Sequence, residues 1–312
     1  MDIALLFPGY GSQFVGMSKE LYDQSRAMQE NFEQAASCLN INFVKLCFAA
    51  SEVELGRIEH AYPALFLLGA SLAEILKEEG IHPAVVAGYD TGQLAALHAV
   101  GGINLPDGLY LLSKYALFYQ ELLQNISPAA MRVGGITVQE LIQMCHQVSS
   151  GETLVANVAL IDSYQGHIVA GNTEAVDRVR ELLVANKQAK ITDADIELGL
   201  HSVLMESVEA SLRVYSQKVD FKTTSKPVIV NTNGALVSEG DLLKESTLHM
   251  IDTPLNWDAV IKQLEPYPCI VHIGPGDHLL AYVQQEYPQK KYCAINKPED
   301  IVKLKTMIIE HN

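Results

Sequence analysis

Apolar residues fall into two textures along the chain. Short unbroken apolar runs, at Ile3 to Phe7, Ala84 to Gly88, Val228 to Asn231 and Cys269 to Ile273, read as buried strands. Between them, residues 59–79 carry Ala64, Leu65, Leu68, Leu72, Ile75 and Leu76 at helical spacing, and close on Lys77 and Gly80, which are helix-ending signals. Strands alternating with helices predict an α/β fold. The run Ala84-Val85-Val86-Ala87-Gly88 passes through a tight turn, with glycines at 88 and 92, into a helix predicted from Gly92 to Val100. Strand, sharp turn and helix in that order form the setting of a nucleophile elbow.

A different texture begins near Met131. Strand-like Met131 to Thr137 leads to a helical pattern over Gln139 to Val148, and strands follow at Thr153 to Leu160 and His167 to Gly171. A helix over Glu174 to Asn186 and a strand over Lys190 to Leu198 complete a βαββαβ order, that of a ferredoxin-like subdomain. Signals of the first kind resume after His201. The expected architecture is therefore an α/β-hydrolase-like large domain, residues 1–125 and 199–312, with a ferredoxin-like insert at 126–198. No internal repeat, low-complexity tract or linker interrupts it.

Composition narrows the function classes. Apolar residues make up 48% of the chain and charged residues 19%, as in a globular protein with a sizeable core. No apolar run is long enough to span a bilayer. The apolar start, Met1 to Gly9, is short and lacks a basic flank, so it reads as a first strand rather than a signal peptide. A cytoplasmic protein without membrane association is expected. Cys38, Cys47, Cys145, Cys269 and Cys293 are scattered, with no CxxC pair, and read as buried reduced thiols rather than a zinc site or disulfide framework. No metal or cofactor is expected. With 37 acids against 22 bases the formal charge is −15, which repels a phosphate backbone. No basic stripe interleaved with aromatics offsets it, so nucleic acid is not an expected partner.

The motifs carry more. Phe7-Pro8-Gly9-Tyr10-Gly11-Ser12-Gln13 resembles the FPGQGSQ opening of malonyl-CoA:acyl carrier protein transacylases, and Gly88-Tyr89-Asp90-Thr91-Gly92-Gln93 stands where that family has GHSxGE. Leu200 to Met205 resembles the segment with the family's catalytic histidine. Pro254 and Trp257 match a Pro-x-x-Trp element, and Ile273-Gly274-Pro275-Gly276 a late glycine turn. In order and correctly spaced, these matches span nearly the whole chain.

The resemblance implies acyl thioesters of coenzyme A or acyl carrier protein as partners, together with fatty acid or polyketide synthase components. It implies a serine nucleophile, a histidine base oriented by a backbone carbonyl, and backbone N–H groups that hold the oxyanion. It also implies an arginine on the following helix that grips malonate's free carboxylate. Several of these are replaced. Asp90 stands for the serine, Tyr89 for the preceding histidine, Gln93 for the glutamate and Tyr10 for the first glutamine of the opening motif. Tyr115, in a helix predicted over Leu109 to Leu123, stands for the arginine, with Lys114 beside it. His201 and Gln13 remain.

The candidate catalytic pair is Asp90 and His201, expected to face each other within direct or water-bridged hydrogen-bond reach. Tyr10, Gln13, Tyr89, Thr91 and Tyr115 are oxyanion or pocket candidates, Thr91 through its backbone N–H, and Asn157 and Asn231 are further pocket candidates. His60, His82, His98, His249 and His311 read as surface or packing residues, and His167 as peripheral. An aspartate at the elbow could attack a thioester to give a mixed anhydride that water opens, or pair with His201 and act on water. Hydrolysis or decarboxylation would then replace clean transfer. The other reading is a catalytically inactive member that binds carrier protein or a synthase as a scaffold.

Overall fold

The computed structural model describes residues 1–151, 154–186, 188–194 and 200–310. His311 and the end of the last predicted strand of the insert, residues 195–198, lie outside them. The chain begins with β1 (Ile3–Phe7), followed by α1 (Lys19–Gln24), α2 (Arg26–Leu39), α3 (Phe43–Ala49), α4 (Glu52–Leu55) and the long α5 (Ile58–Glu78). Then come β2 (Val85–Gly88), α6 (Gly92–Ala99) and α7 (Leu105–Asn125). The middle of the chain gives β3 (Pro128–Gly134), α8 (Val138–Val148), β4 (Ala156–Ile161), β5 (His167–Asn172), α9 (Thr173–Val184) and β6 (Lys190–Asp193). After it run α10 (Glu206–Ser216), β7 (Val228–Ile229), β8 (Leu236–Val237), α11 (Gly240–Asp252), β9 (Leu255–Asn256) and α12 (Trp257–Gln263). The chain closes with β10 (Cys269–Ile273), α13 (His278–Glu286), β11 (Lys291–Ile295) and α14 (Pro298–Ile309).

The first sheet has the order β11-β10-β1-β2-β7-β8 and is parallel except for the β7–β8 pair at its edge. Every residue of β1, β2 and β10 is buried. That is why these strands appear in the sequence as unbroken apolar runs: helices cover both faces of a parallel sheet, and no position faces water. The second sheet, β6-β3-β5-β4-β9, contains the βαββαβ arrangement over its own smaller apolar core, which includes Met131, Val133, Leu141, Val158, Val169, Val176 and Leu183. The α/β class with an inserted ferredoxin-like subdomain is thus what the chain adopts. One strand crosses between the two parts. β9, from the segment that follows α11, pairs in parallel with β4 through Leu160–Leu255 and Ile161–Asn256. A two-residue strand has no periodicity to read in advance.

Four cysteines are buried, and burial pushes their thiols up, Cys47 and Cys145 to about 12 and Cys269 and Cys293 to about 11. Cys38 departs from expectation: it is exposed near the end of α2, on the solvent side of that helix. Among the described residues no helix is long and apolar enough to cross a membrane.

His272, on β10, is fully buried, and neither of its ring nitrogens makes a well-formed hydrogen bond. Burial, and then the neighbouring His278 ring 5.3 Å away, pull its pKa down to about 3. In the unfolded chain an imidazole titrates near 6.5. Between about 6.5 and about 3, therefore, the unfolded chain binds a proton that the folded chain refuses, and stability is lost as the pH falls through that window. At pH 5 the loss is about 2 kcal/mol. Urea unfolding at pH 7 and pH 5 checks it: His272→Phe is expected to remove most of that difference. An equal pH dependence in both proteins would contradict the assignment.

Candidate active site

The site lies at the C-terminal ends of β1 and β2, where open parallel sheets place ligands. Its elbow is set by close backbone approach. A Cβ on Gly88 would lie 2.1 Å from Gln93 N, one on Gly92 2.4 Å from Phe7 O, and one on Gly9 2.4 Å from Tyr89 O. Only glycine fits at these three positions, so the motif glycines are accounted for by packing alone.

At the apex Asp90 takes a left-handed backbone conformation, φ +50°. Among non-glycine residues aspartate is one of the few that visit this region with ease. Turn hydrogen bonds close on either side, Gly92 N to Tyr89 O and Gln93 N to Asp90 O. The side chain of Asn231, just past β7, donates to Asp90 O at 3.2 Å, and its backbone N–H donates to Gln93 Oε1 at 3.0 Å. Gln93 thus supplies the acceptor that a glutamate would supply at the same place.

His201 is built the same way. It too is left-handed, φ +34°, and Asn157 of β4 donates its side-chain N–H to His201 O at 3.1 Å. Asn157 and Asn231 therefore act here as clasps on the carbonyls of the two strained site residues. His201 Nδ1 lies 2.7 Å from the carbonyl oxygen of Met250 in α11. A carbonyl only accepts, so Nδ1 carries the proton. Nε2 then faces Asp90 Oδ1 at 3.4 Å, close but off the axis of a good hydrogen bond. The two atoms are near enough for a proton to pass between them with a small side-chain movement. Asp90 is 4% exposed and His201 1%.

Thr91 Oγ1 lies 3.5 Å from Asp90 Oδ2. Its backbone N–H, the first beyond the apex, is the donor of no hydrogen bond among the described residues, as an oxyanion donor would be. Tyr115 of α7 is buried, with its ring 5.5 Å from that of Tyr62 and 6.1 Å from that of Tyr119. Burial, and then the charge of Asp90, push its phenol well above its ordinary pKa, so it stays neutral. Lys114 does not take over the arginine's place. Its ammonium lies over the rings of Tyr110 and Tyr215, a direction about 100° around the helix.

The remaining candidates have partners of their own. Tyr10 donates its hydroxyl to Gly56 O at 2.8 Å, and Gln13 Oε1 accepts from Gly11 N at 2.8 Å within its own loop. Tyr89 packs edge-on against Trp257, centroids 4.9 Å apart, and near Tyr282. Two contributors went unread in the sequence. Met250 acts through a backbone carbonyl, which any residue has, and Tyr62 is one more apolar position in the long stripe of α5. Among the described residues no group of three or more His, Cys, Asp or Glu side chains could hold a metal ion.

The family model described as "Acyl transferase domain" matches residues 4–302. The malonyl CoA-acyl carrier protein transacylase of Bacillus subtilis strain 168 is 30% identical over 301 residues, covering 96% of this chain and 95% of the relative. Among solved structures, an acyl carrier protein S-malonyltransferase from Vibrio cholerae superposes with a TM-score of 0.92 at 21% identity, covering 97% of this chain and all of that one. A type II PKS acyl-carrier protein in complex with its malonyl-transacylase gives 0.91 at 21% identity, with both chains fully covered. At those identities the structures establish the fold. The family match, with 30% identity along almost the whole length, places this chain in the acyl transferase domain family.

Proposed function

We propose that the protein binds acyl thioesters of coenzyme A or of an acyl carrier protein, in the cytoplasm beside fatty acid or polyketide synthesis, and hydrolyses them at Asp90 and His201 without a serine ester. The observation that carries this reading is the 3.4 Å approach of Asp90 Oδ1 to His201 Nε2, with Nδ1 held by Met250 O. A carboxylate oxygen of Asp90 attacks the thioester carbonyl carbon while the Thr91 N–H receives the oxyanion. The C–S bond breaks, and His201 Nε2 gives its proton to the departing thiolate. Water then opens the acyl–aspartyl anhydride, its proton passing to the now neutral His201. The sum is thioester plus water to acid plus thiol. A malonyl thioester would meet a second negative charge at Asp90. Loss of CO2, with His201 protonating the carbon left behind, is the matching outcome there.

Hydroxylamine tests the intermediate. Present during turnover of acetyl-CoA, it is expected to convert Asp90 to its hydroxamate, seen by peptide mass. Turnover that leaves Asp90 unmodified would remove it as nucleophile and leave it as a base on water. One observation favours a second reading: Tyr115, which stands for the arginine, is buried against the ring of Tyr62, and Asp90 and His201 are almost sealed from solvent. A scaffold that binds carrier protein without turnover fits that closure, and it would show binding with no thiol release. We also place the subdomain boundaries at 125/126 and 198/199, a division supported by the run of second-sheet elements from Pro128 to Asp193.

A further inference from the structure

A second concave site lies at the other end of the first sheet, where the chain enters β2 and β7. A cleft of about 780 Å³ opens there between the C-terminal parts of α5 and α6 and the segment 222–226. That is the size of a small-molecule site. Its floor is apolar, with Leu5, Ala73, Ile81, Val100 and Ile103. Its rim is cationic, with Lys77 from α5 and Lys222 and Lys226 from the segment before β7. Its wall is fixed by backbone bonds: Lys222 N donates to Gly102 O at 2.9 Å, and Ser225 N to Val100 O at 3.1 Å.

The charges there are not spent on one another. Glu74 is the only acid among the described lining residues. Its carboxylate accepts from Asn31 Nδ2 at 2.7 Å and faces His98 Nε2 at 3.4 Å. Lys77 and Lys226 form no ion pair among the described residues, and Lys222 has an exposed one, with Asp220 at 3.6 Å. An exposed pair of that kind yields readily to another anion. In a chain of formal charge −15, three lysines against one acid reverse the local sign, and a cleft with apolar walls focuses their field. An inorganic anion would leave the floor unused, and a neutral molecule would leave the ammonium groups unpaired. A ligand that satisfies both carries its negative charge at one end of an apolar body.

We propose that this cleft binds an organic diphosphate, its phosphates held by Lys77, Lys222 and Lys226 and its organic body on the apolar floor. The site shares no lining residue with the Asp90–His201 pair and does not rest on the thioester reading. Between the two lies α6, which starts at the elbow and ends at the cleft, about 12 Å long at 1.5 Å per residue.

The test is calorimetric titration of the full-length protein with ADP, geranyl diphosphate and pyrophosphate. At least one of the two organic diphosphates is expected to bind ten times more tightly than pyrophosphate. ADP as the tighter ligand assigns the body to a nucleoside, and geranyl diphosphate assigns it to an aliphatic chain. Lys77→Ala combined with Lys226→Ala is expected to weaken that binding about tenfold or more, since each removes a charge-assisted contact. Both lysines are exposed, so the variant keeps the fold. Lys45→Ala, an exposed lysine of α3 outside the cleft, is expected to change nothing. Failure of both organic diphosphates to bind, or pyrophosphate as tight as both, would overturn the proposal. So would binding that the paired substitution leaves intact, or that Lys45→Ala weakens as much.

Discussion

With serine in place of Asp90, the protein is expected to carry an acetyl ester after mixing with acetyl-CoA, where the unmodified protein carries none. The elbow is enforced by Gly9, Gly88 and Gly92, so a serine would occupy the same apex. Met250 O would still hold the proton on His201 Nδ1. With Nδ1 held as the donor, Nε2 is the acceptor for the serine hydroxyl. General-base assistance of this kind contributes roughly 10²–10⁴ in rate, and ester formation should rise from undetectable by at least the lower figure. The cost is backbone strain. Serine at φ +50° lacks aspartate's ease in that region, at about 1 kcal/mol. Intact mass against time measures the outcome. A folded Asp90→Ser protein that stays unacylated with acetyl-, butyryl- and malonyl-CoA would mean the rest of the acyl transfer machinery is absent.

Tyr115→Arg has the second large effect, and only beside Asp90→Ser. A guanidinium there could meet malonate's free carboxylate with two parallel hydrogen bonds, where a phenol offers one neutral bond. A charge-assisted bond contributes roughly 1.5–3 kcal/mol, so the malonyl-to-acetyl ratio of ester formation should rise by about one to two powers of ten. While Asp90 remains, it would take the new cation for itself, and the ratio should hardly move. The surrounding rings of Tyr62 and Tyr119 soften the cost of burying the charge. An unchanged ratio in the double variant would show that Tyr115 does not face the acyl group.

The fold was legible where the physics is local and repetitive. Cys269 to Ile273 is a strand with the bounds its apolar run predicts, and the helix read over residues 59–79 forms as Ile58–Glu78. The strand read as Met131 to Thr137 is instead Pro128–Gly134, because Gly135 turns left-handed at φ +75° and ends it. Helices α1 to α4 went unread: α1, α3 and α4 are short, and the longer α2 buries only a narrow face, Met28, Asn31, Phe32 and Ala35. At the site, the motif order brought out Asp90 and His201 and their approach across the cleft. What it could not show is how they are held. Asn157 and Asn231 look like pocket polar groups in a sequence, yet each is committed to a carbonyl more than forty residues away. Tyr10, Gln13 and Tyr89 resemble the family's site positions, and each has a partner the motif does not announce: Gly56 O, Gly11 N and the Trp257 ring.

The most direct measurement mixes the unmodified protein with acetyl-, hexanoyl- and malonyl-CoA and follows released thiol and intact protein mass together. The account predicts steady release of coenzyme A from a neutral acyl thioester, a protein mass that returns to that of the unmodified chain, and loss of the release in Asp90→Asn. A lasting acyl adduct on the unmodified protein, or no thiol release from any of the three, would contradict it.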